Sequence, residues 1–275
     1  NSGLYIVRVN TQGVVGGNLT GYFVVADDSN NDTDNQWYTV GARQKGKMAG
    51  LDYRVEFYHQ FGDGENALNT FGAELTGAYT NYTRLTDYDR DAQMFGVRVG
   101  KTFKNAKFSP TVTLWFDSLS GTDDDDVQGN NMGTFNTLQD TGHKFYGLMD
   151  QYTNAQGTGT NGYGLTDLAV KTKFILSEVN TLKIDFHHFE TQTDLSDADS
   201  NTIREAAGGI FAASNSAGST RGTGVMDSDL GEEIDVTLVH KYDANTKIVA
   251  GYSHYFTTQT HGLVNASGGT VGDAG

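Results

Sequence analysis

The sequence predicts an all-β chain folded as an antiparallel transmembrane β-barrel. Three observations lead there. Apolar and polar residues alternate along segments of about ten residues, the length at which a tilted strand spans a bilayer. The connections between these segments alternate strictly between short and long. No stretch keeps a 3.6-residue apolar period, and none approaches the ~18 apolar residues of a membrane helix.

The composition agrees with one large β unit. The 275 residues include 35 Gly, one Pro, 14 Tyr and 15 Phe. With no cysteine, neither disulfides nor thiolate metal sites enter the fold. The formal charge of −15 excludes nucleic-acid binding through the surface field. The chain begins without Met and ends in an apparent loop, so residues 1–275 are expected to form a single barrel domain that is incomplete at both ends.

Period-2 alternation places ten strands at about 3–10, 18–27, 35–45, 51–61, 91–104, 107–118, 163–175, 180–192, 231–242 and 246–258. The short connections are Thr11–Gly17, Gly46–Gly50, Asn105-Ala106, Leu176–Val179 and Asp243–Asn245. The long ones are Asp28–Asp34, Phe61–Arg90, Leu119–Gly162 and Gln192–Leu230. Short turns on one rim and long loops on the other are expected of an outer-membrane barrel. Phe71–Tyr79 also alternates and is assigned to a hairpin or an inward-folded piece of the second long loop. Pro110 lies near a strand start, where a missing N–H is tolerated.

Within each strand one face is apolar and the other charged. Leu51, Tyr53, Val55 and Phe57 alternate with Asp52, Arg54, Glu56 and Tyr58. Leu168 and Val170 alternate with Asp167 and Lys171, and Ile234 and Val236 with Glu233 and Asp235. Alternation alone fits a soluble sandwich as well, but strand length and loop asymmetry favour lipid outside and a wet lumen inside. Trp37, Tyr38, Tyr53, Tyr163, Tyr242 and Tyr255, near strand ends, are expected to form an aromatic girdle. The pore-lining candidates are basic at Arg8, Arg43, Arg54, Arg98, Lys171, Lys173, Lys183 and Lys241. They are acidic at Asp52, Glu56, Asp117, Asp167, Asp185, Glu233 and Asp235, so the wall is near neutral and the excess negative charge lies in loops and turns. Such charges brace one another across strands or form a ladder that guides a polar solute.

The long connection after the Trp115 strand carries Ser120-Gly121 with Asp123, then Gly133-Thr134-Phe135-Asn136, Leu138, His143-Lys144-Phe145-Tyr146-Gly147 and Asp150. These residues resemble the alginate-export family of outer-membrane barrels. Gly164–Leu168, Phe186–Phe189, Gly231–Asp235 and Gly251–His254 are similar more diffusely, and the resemblance covers roughly residues 35 to 258. It implies a monomeric barrel of about 18 strands in full, with ten or eleven in this chain, and membership of a transport class whose type member exports an anionic uronic-acid polymer through an arginine-rich lumen. This chain departs from that pattern, since its wall is balanced and its loops are acidic. An acidic rim repels a polyanion within a Debye length of roughly 8 Å.

Other constellations have modest readings. Asp123, Asp124, Asp125 and Asp126 offer hard oxygens to Ca²⁺ but lack EF-hand spacing, so a solvated loop is the first reading and no cofactor or metal is otherwise expected. His187 and His188 face opposite ways on a strand and cannot chelate together. His143, Lys144, Tyr146 and Asp150 are expected to order the long loop. No motif supplies a nucleophile with an orienting base, so an enzyme is not expected.

The expected function is an outer-membrane, porin-type channel for small polar, sugar-like or cationic solutes, with loops 61–90, 119–162 and 193–230 narrowing its mouth. The expected partners are outer-membrane lipid, lipopolysaccharide and the solute. The alternative is a structural barrel that scaffolds or sheathes another envelope protein. A soluble Ca²⁺-loaded β protein is a further reading.

Overall fold

A computed structural model describes residues 2–28, 35–65, 87–123, 125–126, 129–138, 145–152, 160, 162–193, 227–258 and 260–261. Ten long strands lie side by side in chain order: β1 (Ser2–Val14), β2 (Gly17–Asp28), β3 (Gln36–Met48), β4 (Leu51–Glu65), β5 (Asp87–Thr102), β6 (Thr111–Leu119), β8 (Leu165–Ile175), β9 (Asn180–Glu190), β10 (Asp229–Lys241) and β11 (Lys247–Thr257). An eleventh, β7 (Asn131–Met132), pairs in parallel with β5 from within the long loop. All neighbouring long strands are antiparallel, and the sheet is open, with β1 and β11 at its edges. This is the all-β antiparallel architecture that the alternation predicts.

Several boundaries differ from the sequence expectation: β1 runs on to Val14 and β4 to Glu65. β5 begins at Asp87 rather than near 91, because it pairs with the extended end of β4 out to Glu65, and β7 adds a second partner at Asp89 and Arg90. The turn expected at Asn105-Ala106 is a longer connection, 103–110, held by Ala106 N–H to Phe103 O and Ser109 N–H to Ala106 O. Pro110 stands immediately before β6, and its carbonyl accepts from Phe103 N–H. Phe71–Tyr79 lies outside the described residues.

Register fixes which side chains share a face. β5 alternates exposed and buried residues over nearly its whole length. Its outward set continues across the sheet through Phe23, Val40, Phe57, Phe95, Leu114, Leu168, Phe186, Leu238 and Tyr252. Phe57 is 45% exposed, Leu114 57% and Leu168 52%, a continuous bare apolar surface of the kind a membrane covers. The other face is polar, and the buried core sits on it. Tyr152, Phe189, Leu119, Leu165 and Leu230 cluster where the loop after β6 packs back onto β5, β8, β9 and β10.

The aromatic belt needs correction. Tyr38, Tyr53 and Tyr242 lie outward or at the rim, and Tyr38 stacks between Phe23 and Phe61. Trp37 and Tyr255 instead take the polar face, and Tyr163 is buried in the core. Each has an inward partner. The Arg90 guanidinium lies 5.0 Å from the Trp37 ring, and Tyr255 donates to Leu230 O at 2.6 Å. Proximity to a strand end thus does not decide which side an aromatic takes; strand parity does.

Candidate permeation pathway

All fifteen charged residues singled out from the sequence share the polar face by register. Arg8 sits opposite Tyr22 on β2, and Arg43 opposite Glu56 on β4. Arg54 faces Arg98, Asp117 faces Asp167, and Lys171 faces Asp185, which in turn faces Asp235. Lys173 faces Lys183, Glu233 faces His187, and Asp52 and Lys241 continue the same parity.

The centre of the face is an ion-pair cluster. Arg54 contacts Glu56 at 2.6 Å, and Arg98 contacts Glu56 at 3.4 Å and Asp117 at 2.9 Å. Trp115 Nε1 donates to Asp117 Oδ2 at 2.9 Å. The Trp115 ring lies 3.4 Å from the Arg98 guanidinium and 4.6 Å from Lys171 Nζ. Asp117, Asp167 and His187 are fully buried, and His187 Nδ1 pairs with Asp167 Oδ1 at 2.9 Å.

The loop between β6 and β8 crosses this face from β4 to β11. Its first pinned segment is 133–138. Gln60 Nε2 donates to Asn136 O and Asn136 N–H donates back to Gln60 Oε1, both at 2.7 Å. Arg90 Nη1 donates to Thr134 O at 2.9 Å, and Ser120 Oγ to Gly133 O at 2.6 Å. The second segment is 145–152. Phe145 meets the Trp115 ring edge-on at 6.1 Å, and Lys171 Nζ donates to Phe145 O at 3.3 Å. Leu148 N–H and Met149 N–H donate to Glu233 Oε1 at 2.7 and 2.9 Å. Gly147 makes that approach possible. Its φ is +87°, and a Cβ there would stand 2.5 Å from the Glu233 carboxylate.

Tyr152 closes the fastening. Its hydroxyl lies 2.6 Å from the Tyr255 hydroxyl and 2.9 Å from His261 Nδ1. Burial holds the His261 imidazole below its usual range. Burial, reinforced by Asp117 and Asp167, pushes the Tyr146 phenol well above its usual value. Tyr146 is therefore a neutral loop residue buried against the wall. Of the four residues expected to order this loop, Tyr146 is buried and Asp150 adopts a positive φ of 53°; His143 and Lys144 lie outside the described residues.

A cavity of about 220 Å³ remains between loop and wall, lined by Tyr22, Arg54, Glu56, Tyr58, Arg98, Asp117, Phe135 and Phe145 among others. A wider one of about 580 Å³ opens toward the short-turn rim, between Lys45, Lys47, Arg54, Arg98 and the bare backbone of Gly16, Gly17, Gly46 and Gly100.

The acidic run has its own local role. Asp126 N–H donates to Asp123 Oδ1 at 2.9 Å, and Asp123 N–H to Asp126 Oδ2 at 3.2 Å. Burial, with help from Asp123, pushes the Asp126 carboxyl up to about 6. Asp125 is exposed, and Asp124 lies outside the described residues. Among the described residues, no three His, Asp or Glu side chains converge on a point that would hold a metal ion.

A family model for alginate export matches residues 2–263. The chain belongs to the alginate-export family. Members of this family are outer-membrane β-barrels of an export or porin-type channel kind, and the apolar outer face seen here suits that setting. No curated protein matches the chain.

Gln60, Arg90 and Tyr152 take part through hydrogen bonds and escape the sequence reading. Alternation does place Trp115 beside Asp117 on the charged face and turns one of His187 and His188 to the lumen, while Tyr255 is expected in the girdle rather than here. Parity finds Gln60, which lies an even number of positions from Glu56. Arg90 was hidden by the late strand start. Tyr152 is placed by a loop docking that no local pattern encodes.

Proposed function

We propose that this alginate-export family member is a Gram-negative outer-membrane porin that passes small polar, sugar-like or cationic solutes by passive diffusion. The observation that carries this is the docked loop. Between it and the polar face lies a cavity of about 220 Å³ whose lining mixes aromatic rings with charges of both signs. Such a wall offers hydroxylated solutes ring faces and hydrogen-bond partners on the same side. The residues from Arg8 to Lys241 named above act as the lining, and Asp123–Asp126 with the other loop acids favour cations at the outer mouth. Outer-membrane lipid covers the apolar face, with lipopolysaccharide beside the loop rim.

The test is conductance of the full-length protein in a planar bilayer, with reversal potential in a salt gradient and swelling of proteoliposomes in sugars of graded size. Stable conductance with a size cut-off near that of small saccharides is expected. A protein that inserts but never conducts overturns the channel reading. The docked loop would then favour the alternative, a closed barrel that scaffolds an envelope partner.

A further inference from the structure

On several rungs of the polar face like charges sit beside like charges, although Arg43 faces Glu56 and Lys171 faces Asp185, and the two signs are largely separated along the strands. Lys45, Arg54 and Arg98 form one row across β3, β4 and β5. Lys173 faces Lys183, and Lys241 faces Lys247. On the acidic side Asp117 faces Asp167, and Asp185 faces Asp235. Like charges directly opposite one another destabilise a sheet, so a wall selected for stability alone would interleave the signs.

The separation follows one direction. On β8 the order from the long-loop end to the short-turn end is Asp167, Lys171, Lys173. On β10 it is Glu233, Asp235, Lys241. β9, running the other way, starts at its turn end with Lys183 and reaches Asp185 later. The exceptions are locally answered: Asp52, near the turns, pairs with Lys47 at 2.7 Å, and Arg90, near the loops, is buried against Thr134 O. Lys173, Lys183, Lys241 and Lys247 are exposed, so their field reaches the lumen, whereas Asp117, Asp167, Glu233 and Asp235 are buried under the docked loop and the exposed acids of that end include Asp123, Asp125 and Asp227.

We infer that the lumen is a bipolar junction and that the channel rectifies ion current. This rests on the channel reading above and adds a direction to it. The loop half, with exposed acids at its rim, is enriched in cations; the turn half, with exposed lysines, is enriched in anions. A voltage positive on the loop side drives both carriers toward the junction and fills it with ions. The opposite voltage draws both away and empties it. Current is therefore larger when the long-loop side is positive.

The experiment is a current–voltage curve in symmetric KCl on full-length protein, with orientation established by one-sided proteolysis of the long loops. At about 0.1 M salt and roughly 100 mV, the loop-positive current is expected to exceed the reverse current about twofold or more. At about 1 M, where the Debye length contracts to ~3 Å, the ratio falls toward unity. The variant with Lys173→Glu, Lys183→Glu, Lys241→Glu and Lys247→Glu reverses the exposed charge of the turn half over β8 to β11, so the current ratio falls toward unity and cation selectivity rises. Should that variant fail to insert, the four Lys→Gln changes serve, with a ratio reduced at least by half. A symmetric wild-type curve at low salt, or a larger current with the loop side negative, overturns the inference while the channel reading stands. Absence of any conductance overturns both.

Discussion

Replacing Gly147 with Ala should release the loop from the wall. Two costs arise, and a control separates them. The left-handed backbone at φ +87° costs a β-carbon about 1–2 kcal/mol. The second cost is specific: the new methyl would stand 2.5 Å from three atoms of the Glu233 carboxyl group, so loop and carboxylate must separate. Separation breaks the bonds from Leu148 and Met149 N–H. Hydrogen bonds to charged groups contribute about 1.5–3 kcal/mol each, so together they are worth ~3–6 kcal/mol. Even ~3 kcal/mol shifts a docked-to-free equilibrium by roughly a hundredfold, enough to undock a marginally held segment. The control is Gly50→Ala, where φ is +77° but a Cβ meets nothing within 4 Å. It carries the same backbone strain in the β3–β4 turn without touching the loop. The assay is single-channel conductance with protease sensitivity of residues 145–152. Gly147→Ala should raise conductance and expose the segment, whereas Gly50→Ala should do neither. Unchanged conductance and protection in Gly147→Ala would refute the claim that the Glu233 contact holds the constriction.

Three further outcomes follow from the same geometry. Arg98→Met leaves the buried Asp117 without its cation and should cost about 3–5 kcal/mol, whereas the double change with Asp117→Leu should recover most of it; thermal unfolding in detergent compares the two. His261 has a lowered folded value, so the undocked chain binds the proton more readily, and docking of Tyr152 is full above about 6.5 and weakens as pH falls below it. Proteolysis of the loop followed from pH 7.5 to 5 should show that onset on the order of pH 6.5, and His261→Gln should flatten it. Asp126 has a folded value raised to about 6, so its favourable contribution is complete below the unfolded carboxylate value and is lost as pH rises through about 6. Asp126→Asn should therefore protect the 120–135 segment from protease more than wild type does at pH 7 and lose that advantage at pH 4, with equal protection at both pH values counting against it.

Much of the fold was open to a reading of residue order, because an isolated barrel strand writes its two environments into alternate positions. Val55 and Glu56 differ in polarity because one faces lipid and the other the lumen, and that contrast is local. Loop docking is not local. Glu233 sees Leu148 across 85 positions of chain, and nothing in Gly147-Leu148-Met149 announces an acceptor. The aromatic girdle failed for a related reason. Trp37 and Tyr255 stand near strand ends like Tyr38 and Tyr242, but each sits on the opposite parity, where a partner waits on another strand.

The charge balance of the wall shows most clearly what a sum conceals. Eight basic and seven acidic candidates cancel in number, which suggests a featureless polar lining. Register shows that they do not cancel in place. A neutral total built from neighbouring opposite pairs, such as Arg98 with Asp117, braces the sheet and leaves little field in the lumen. The same total built from exposed rows such as Lys173 with Lys183 and Lys241 with Lys247 keeps the field and aligns it with the pore. Both arrangements occur here, the braced one beneath the docked loop and the segregated one toward the two mouths. Selectivity should then depend on where along the axis a charge is changed. Neutralising Lys183 should alter the current–voltage asymmetry without loosening the loop, and neutralising Lys171, which donates to Phe145 O and lies over Trp115, should loosen the loop. If the two substitutions gave the same conductance change and the same protease pattern, charge number rather than charge position would govern this channel.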